Sequence, residues 1–171
     1  RQPPRPFTAG GSAAQRGMTY EVGQRSQRLG RLAAVLGGSV AVLGFAPVGW
    51  FPLAVAVIAF LAQLLERAPR RSDAFWLGFS FGLGYFGAGI CWIYIALHDY
   101  GGMPWILATG ALLLFAGYLS VFPALGCWIG AHFGGAVWPL VFASGWTLSE
   151  WLRGWLFTGF PWLALGYSQI P

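Results

Sequence analysis

Charged residues leave this chain for long intervals and return in short clusters. None falls within 32–65, and no formal charge falls within 100–149. A straight helix over 32–65 would rise roughly 50 Å, against a bilayer hydrocarbon core of about 30 Å, so that run must break. The break is written as Gly44-Phe-Ala-Pro47-Val-Gly49-Trp-Phe-Pro52, where prolines and glycines interrupt helix hydrogen bonding and Trp50 supplies an interfacial anchor. A helical hairpin over 32–46 and 52–65 is predicted.

The polar cluster Glu66-Arg-Ala-Pro-Arg-Arg-Ser-Asp73 then forms a loop, because each charge at the bilayer centre costs about 3 kcal/mol on insertion scales. An uncharged span follows over 74–97, with Phe75 and Trp76 near one end and Trp92 and Tyr94 near the other, as aromatic belts require. Its Gly78-xxx-Gly82 and Gly84-xxx-Ala88 spacings make a ridge of small residues that lets a neighbouring helix approach closely. After the turn at His98-Asp-Tyr-Gly-Gly102, the next apolar run divides at His132-Phe-Gly-Gly135 into helices over 104–131, kinked at Pro123, and 137–153. The segment 154–171 is aromatic, broken by Gly and Pro and uncharged, which suits a periplasmic interfacial loop. Residues 1–31 read as a disordered basic arm and lead-in; the Pro, Gly and Arg content of 1–17 shows no period, and Met18 is a candidate native start. The fold class is all-α: a polytopic transmembrane helical bundle with about five crossings.

Composition sharpens that reading. Hydrophobic residues make up 57% of the chain and charged ones 9%, against about a quarter charged in an ordinary soluble domain. The net charge of +5 rests entirely on arginine, and most of it flanks apolar runs instead of spreading over a surface among aromatics. That distribution excludes a nucleic-acid partner and follows the positive-inside pattern. It puts the amino terminus and the Arg67/Arg70/Arg71 loop in the cytoplasm, and the His98 and Gly154 regions outside. Cys91 and Cys127 lie within apolar runs and read as small buried hydrophobes. No cofactor or metal is expected.

Candidate chemistry is sparse. His98 beside Asp99 has the composition of an acid/base pair but equally that of a solvated turn. Glu150 and Arg153, at i and i+3, share one helical face, and the spacing predicts an ion pair where the helix leaves the bilayer. The residues placed nearest a lipid headgroup or substrate are His98, Tyr100, Glu150, Arg153, Trp155 and Tyr167. No nucleophile motif or phosphate loop is present.

Three strings carry a resemblance: Gly78-Phe-Ser-Phe-Gly-Leu-Gly-Tyr-Phe-Gly-Ala-Gly-Ile-Cys-Trp-Ile-Tyr94, His98-Asp-Tyr-Gly-Gly-Met-Pro104, and Glu150-Trp-Leu-Arg-Gly-Trp-Leu-Phe-Thr-Gly-Phe-Pro-Trp-Leu-Ala-Leu-Gly-Tyr-Ser-Gln169. Together they closely resemble the amino-terminal membrane region of bacterial apolipoprotein N-acyltransferases. The resemblance implies a multi-pass enzyme of the inner membrane that moves an acyl chain from a phospholipid to the amino-terminal Cys of a diacylglyceryl-modified apolipoprotein. It also implies a Glu-Lys-Cys triad in a nitrilase-like domain beyond this stretch. This sequence contains no lysine, so no catalytic residue of the family maps onto it, and the stretch alone is expected to be inactive. Its expected role is to scaffold the active site and give lipid substrates lateral access. Two alternatives stand beside it: a non-enzymatic transporter-like bundle, and the membrane part of a related fused sugar-lipid synthase.

Overall fold

The computed structural model describes residues 13–68, 70–133 and 137–169. Every regular element among them is helical: α1 (Ala13–Ala41), α2 (Phe51–Glu66), α3 (Arg71–Gly89), α4 (Trp92–Ile95), α5 (Trp105–Gly130) and α6 (Trp138–Arg153). A short 3-10 turn, Val42–Gly44, closes α1 at the predicted break, and α4 widens into a π turn at Ala96–Tyr100. The polar turn expected at 132–135 lies partly outside the described residues, which resume at Val137.

Helix α3 is the central element, held between α1 and α5, while α6 packs on α5 and reaches α3 through Trp146 and Arg153, and α2 packs on α1. Glycine sets how close these helices come. A Cβ at Gly82 would sit 2.7 Å from Ser120 Cα of α5, and one at Gly78 would sit 2.8 Å from the Pro123 carbonyl oxygen. On the opposite face of α3, a Cβ at Gly84 would run into the Val35 carbonyl of α1, and one at Gly38 into the Phe81 carbonyl. Backbone thus meets backbone on both sides of α3, and Ser39 Oγ bonds both Val35 O (3.1 Å) and Gly84 O (3.2 Å) across the α1–α3 contact. The ridge read from the sequence therefore serves two neighbours, with Gly84 facing Val35 and Ser39 of α1, while Ala88, expected on the same ridge, is exposed. Phe81, Tyr85, Phe86, Ile90, Leu119 and Trp146 fill the buried core between these helices.

Several expectations are revised. Helix α1 takes in 13–31, where the end of a disordered arm and a polar lead-in were expected; Ala, Gln, Arg and Leu are strong helix formers, no proline lies between Pro6 and Pro47, and the apolar half of α1 provides a nucleus from which the helix propagates backwards. Residues 1–12 lie outside the described residues. The span expected over 74–97 is not one rod: α3 ends at Gly89, and the chain bends by 50° before continuing through α4 and the π turn. Leu163 of the carboxy-terminal segment occupies the space a Cβ at Gly89 would need, so the bend and that segment fit together. Cys91 sits at this bend and is exposed, whereas Cys127 is buried as expected. Helix α5 continues through Pro123 as a single element.

Of the five expected crossings, among the described residues α5 alone is long and apolar enough by itself, and the bent α3–α4 pair qualifies if counted as one span. Only 28% of the most apolar window of α5 is buried, which leaves Leu107, Leu113 and Leu114 facing outward. A core helix of a soluble protein would hide them. Helices α2 and α6, at 16 residues each, rise about 24 Å and fall short of a full crossing unless their flanks contribute.

The two ends of the bundle differ in chemistry. At one end Arg31 lies 3.7 Å from Asp73, Gln27 Nε2 donates to Asp73 (3.3 Å), and Arg71 Nη1 meets His132 Nε2 at 2.9 Å. The opposite end gathers the α1–α2 break, the α3–α4 bend and the aromatic segment after α6.

Candidate functional site

The last turn of α6 carries Glu150 and Arg153 into the protein interior, although this is where a helix end would ordinarily be solvated. Arg153 is only 2% exposed. Its Nη1 donates to the Trp162 carbonyl (2.8 Å), its guanidinium lies 4.9 Å from the centroid of the Phe86 ring, and its own carbonyl accepts from the Phe160 amide (3.1 Å). Glu150 Oε1 accepts from Trp146 Nε1 (3.1 Å), one turn back, and from the Leu165 amide (3.0 Å). From α3, the Tyr85 hydroxyl donates to the Leu163 carbonyl (2.8 Å).

Four of these six contacts end on residues 160–165. The segment after α6 is therefore not a free interfacial loop: it turns through Leu156–Thr158 and Leu165–Gln169 and is pinned over the bundle end by three polar side chains. Gly159 makes the reversal between the turns possible, with φ of 77° and no room for a Cβ beside the Gly154 carbonyl. Aromatic contacts complete the cap: Phe160 against Phe115 (5.0 Å), Trp162 against Trp92 (5.9 Å) and Phe157 against Tyr118 (5.8 Å).

The predicted Glu150–Arg153 ion pair does not form. Among the described residues the one salt bridge is Arg31–Asp73. The physical reason is competition: backbone groups of the folded-back segment lie within reach of both side chains, and Arg153 is directed to the Trp162 carbonyl while Glu150 is directed to the Leu165 amide. The two still line one cleft of about 10 Å³ with Tyr85 and Ser149, close enough to balance each other's charge.

The remaining candidates do not converge on this cluster. His98 Nδ1 donates to the Met103 carbonyl (2.7 Å) and its ring lies 5.3 Å from that of Tyr94, so it braces its own turn. Tyr100, Trp155 and Tyr167 are exposed at 87%, 74% and 54%. Ser149 is buried and donates to the Trp146 carbonyl (2.7 Å), which removes it as a partner for Glu150. No buried side-chain polar atom among the described residues lacks a hydrogen bond. The cluster is thus built to hold the segment in place. Tyr85 and Trp146 were missed in the sequence. The i, i+4 spacing of Trp146 and Glu150 is a readable signal, whereas nothing local announces that Tyr85 reaches a carbonyl 78 residues away.

This geometry rests on the string from Glu150 to Gln169, and the same string lies inside a family match. Residues 37–171 match the apolipoprotein N-acyltransferase N-terminal domain. The chain belongs to the apolipoprotein N-acyltransferase family. It is 49% identical over 143 residues to an apolipoprotein N-acyltransferase of Nitrosomonas europaea, covering 82% of this chain and 29% of that protein. The corresponding protein of Ralstonia nicotianae is 48% identical over 144 residues, covering 81% and 27%, and that of Vibrio cholerae 37% over 150 residues, covering 85% and 30%. The chain therefore spans under a third of the length of these N-acyltransferase relatives.

Proposed function

We propose that this chain is the membrane scaffold of a phospholipid:apolipoprotein N-acyltransferase in a bacterial inner membrane, and that its pinned aromatic cap guides lipid substrates out of the bilayer. The observation that carries the reading is the cap itself. Trp155, Trp162 and Tyr167 remain half or more exposed while the backbone beneath them is fixed by Arg153, Glu150 and Tyr85. Exposed aromatics on a rigid support at a bundle end suit the headgroup level, where amphipathic rings are most stable. An acyl chain or a diacylglyceryl group sliding along the outward leucines of α5 would meet them there.

Acyl transfer itself needs a nucleophile and a base that this stretch does not supply, so the scaffold works with the remainder of the protein. The exposed sites carry substrate contact; the buried ones act as positioning residues. A transporter-like reading is disfavoured because both charges at the end of α6 are bonded to the protein and the cleft beside them is too small to form a path.

In the full-length protein, the double variant Trp155→Ala/Tyr167→Ala should raise KM for phospholipid about threefold to tenfold with a smaller change in kcat, as loss of contact area with the bound lipid requires. Unchanged KM with normal expression would remove the cap from the substrate path.

About five crossings with a cytoplasmic amino terminus are part of the same proposal. The Arg71–His132 contact supports it, because alternation places the 66–73 and 132–137 turns on one side of the membrane. Cysteine substituted at Ser72 should be shielded from an impermeant maleimide in intact cells, and cysteine at Gly102 should be labelled, in a background lacking the native thiols. Labelling of position 72 from outside would reverse the topology.

A further inference from the structure

A cavity of about 460 Å³ opens at the basic end of the bundle, where α1, the end of α2 and the start of α3 meet. Ser26, Gln27, Arg31 and Arg67 stand among its lining residues, and Leu64 and Leu77 form part of its apolar wall. The fold has not closed this space, although α1, α2 and α3 pack tightly further along.

Its polar lining is already arranged. Asp73 is largely buried and accepts from Gln27 (3.3 Å), and it lies 3.7 Å from Arg31. The Arg31 guanidinium also lies 5.8 Å from the centroid of the Trp76 ring. Asp73 therefore positions Arg31 without using up its five donors, and the Arg31 side chain remains 39% exposed. Arg67 is exposed on the facing loop. Between 23 and 31 every charged residue is arginine, and the loop 66–73 brings three more against Glu66 and Asp73. The field at this opening is strongly positive, while the wall is mostly hydrocarbon. Leu29, Leu32 and Leu36 lie exposed along the same helix, so an apolar surface continues from this region along α1.

We infer that this cavity binds the headgroup phosphate of an anionic phospholipid, held by Arg31 and Arg67, with an acyl chain lying along Leu64 and Leu77. A basic, partly apolar pocket between helices at the cytoplasmic surface has the composition such lipids require. A free phosphate would use the arginines and leave the apolar wall in contact with water, which is why the lipid is the better occupant. The bound lipid would tie α1 to the α2–α3 loop at the membrane face opposite the aromatic cap. It is a stabilising ligand distinct in place from any acyl donor at the cap. The inference rests on the membrane orientation proposed above, which the Ser72 labelling tests independently of lipid binding.

The test is lipid retention by the full-length protein, measured by native mass spectrometry during titration with phosphatidylglycerol or phosphatidylcholine in mixed micelles. Phosphatidylglycerol should be retained about tenfold more tightly, and Arg31→Gln/Arg67→Gln should abolish the preference. Ala33→Trp, which fills the cavity and leaves both arginines in place, should lower retention of phosphatidylglycerol by a similar factor; it also provides the readout if the double variant does not accumulate. Equal retention of the two lipids would overturn the inference. So would retention unaffected by cavity filling, or displacement of the lipid by millimolar inorganic phosphate, which would identify a free anion site. If Ser72 proves external while the preference and its loss hold, the pocket stands and the orientation falls.

Discussion

Arg153→Gln in the full-length protein should free the segment 156–169 from the bundle and lower acyl transfer by about tenfold or more while the helices remain folded. The variant removes a charge-assisted hydrogen bond to the Trp162 carbonyl and the contact with the Phe86 ring, losses of about 1.5–3 kcal/mol and about 1–2 kcal/mol respectively. Even the smaller of these losses raises the opened population of the segment about tenfold, and together they approach a hundredfold or more. Hydrogen exchange reads this directly. The Leu165 amide, bonded to Glu150, and the Phe160 amide, bonded to the Arg153 carbonyl, should lose protection while α5 keeps its own.

Glu150→Gln should be milder, because a carboxamide oxygen still accepts from Trp146 and Leu165. A direct ion pair predicts that the double variant recovers part of the loss. The observed geometry predicts that Glu150→Gln/Arg153→Gln is at least as damaging as Arg153→Gln alone, since each side chain holds a different point of the segment. Recovery in the double variant, with wild-type protection restored, would return the pair to the simple electrostatic role.

The second large effect lies at the helix crossings. Gly84→Leu should prevent accumulation of folded protein, because its Cβ falls on the Val35 carbonyl of α1, and a backbone neighbour cannot rotate away. Even Gly84→Ala forces α1 and α3 apart and strains the Ser39 bridge, an overpacking cost of about 1–3 kcal/mol or more. Gly82→Val should behave similarly against α5. Gly87→Ala provides the control: it lies on the same helix, with nothing within 4 Å of the added carbon, and should leave stability unchanged or slightly improved. Melting of detergent-extracted protein separates the cases, and equal stability of Gly84→Ala and Gly87→Ala would contradict the close α1–α3 contact.

The sequence was most legible where a single local rule decided the outcome. Two prolines and two glycines within 44–52 leave no continuous helix, and α1 with its closing turn ends at Gly44 while α2 begins at Phe51. The small-residue ridge of α3 was also readable, because only close approach of a neighbour explains so many glycines in one apolar helix. Its partners were not, since Gly38 lies in another helix and spacing within α3 cannot name it.

The bend after Gly89 is matched by Leu163, which fills the space beside that glycine, a contact set by tertiary structure. The start of α1 was misread for a different reason. Polar, arginine-rich sequence has the composition of a disordered arm, yet its residues are good helix formers, and an adjacent apolar helix supplies the nucleus. At the site, Glu150 and Arg153 were singled out in the sequence, and both side chains lie in the cluster at the end of α6. Their partners were not legible, because the competing backbone groups of 160–165 come within reach only after Gly159 reverses the chain. Tyr100, Trp155 and Tyr167 were picked out with them, but they remain on the surface, away from the buried cluster.

The central claim is that the pinned aromatic cap is where lipid substrate meets the scaffold. Photo-crosslinking tests it most directly: the full-length protein in nanodiscs, a phospholipid bearing a diazirine at its acyl terminus, and peptide mapping of the adducts. The account predicts adducts on the outward face of α5 and on the segment 155–167, with those on 155–167 sharply reduced in Arg153→Gln and those on α5 retained. Adducts absent from 155–167 in a preparation that turns over phospholipid normally would contradict it.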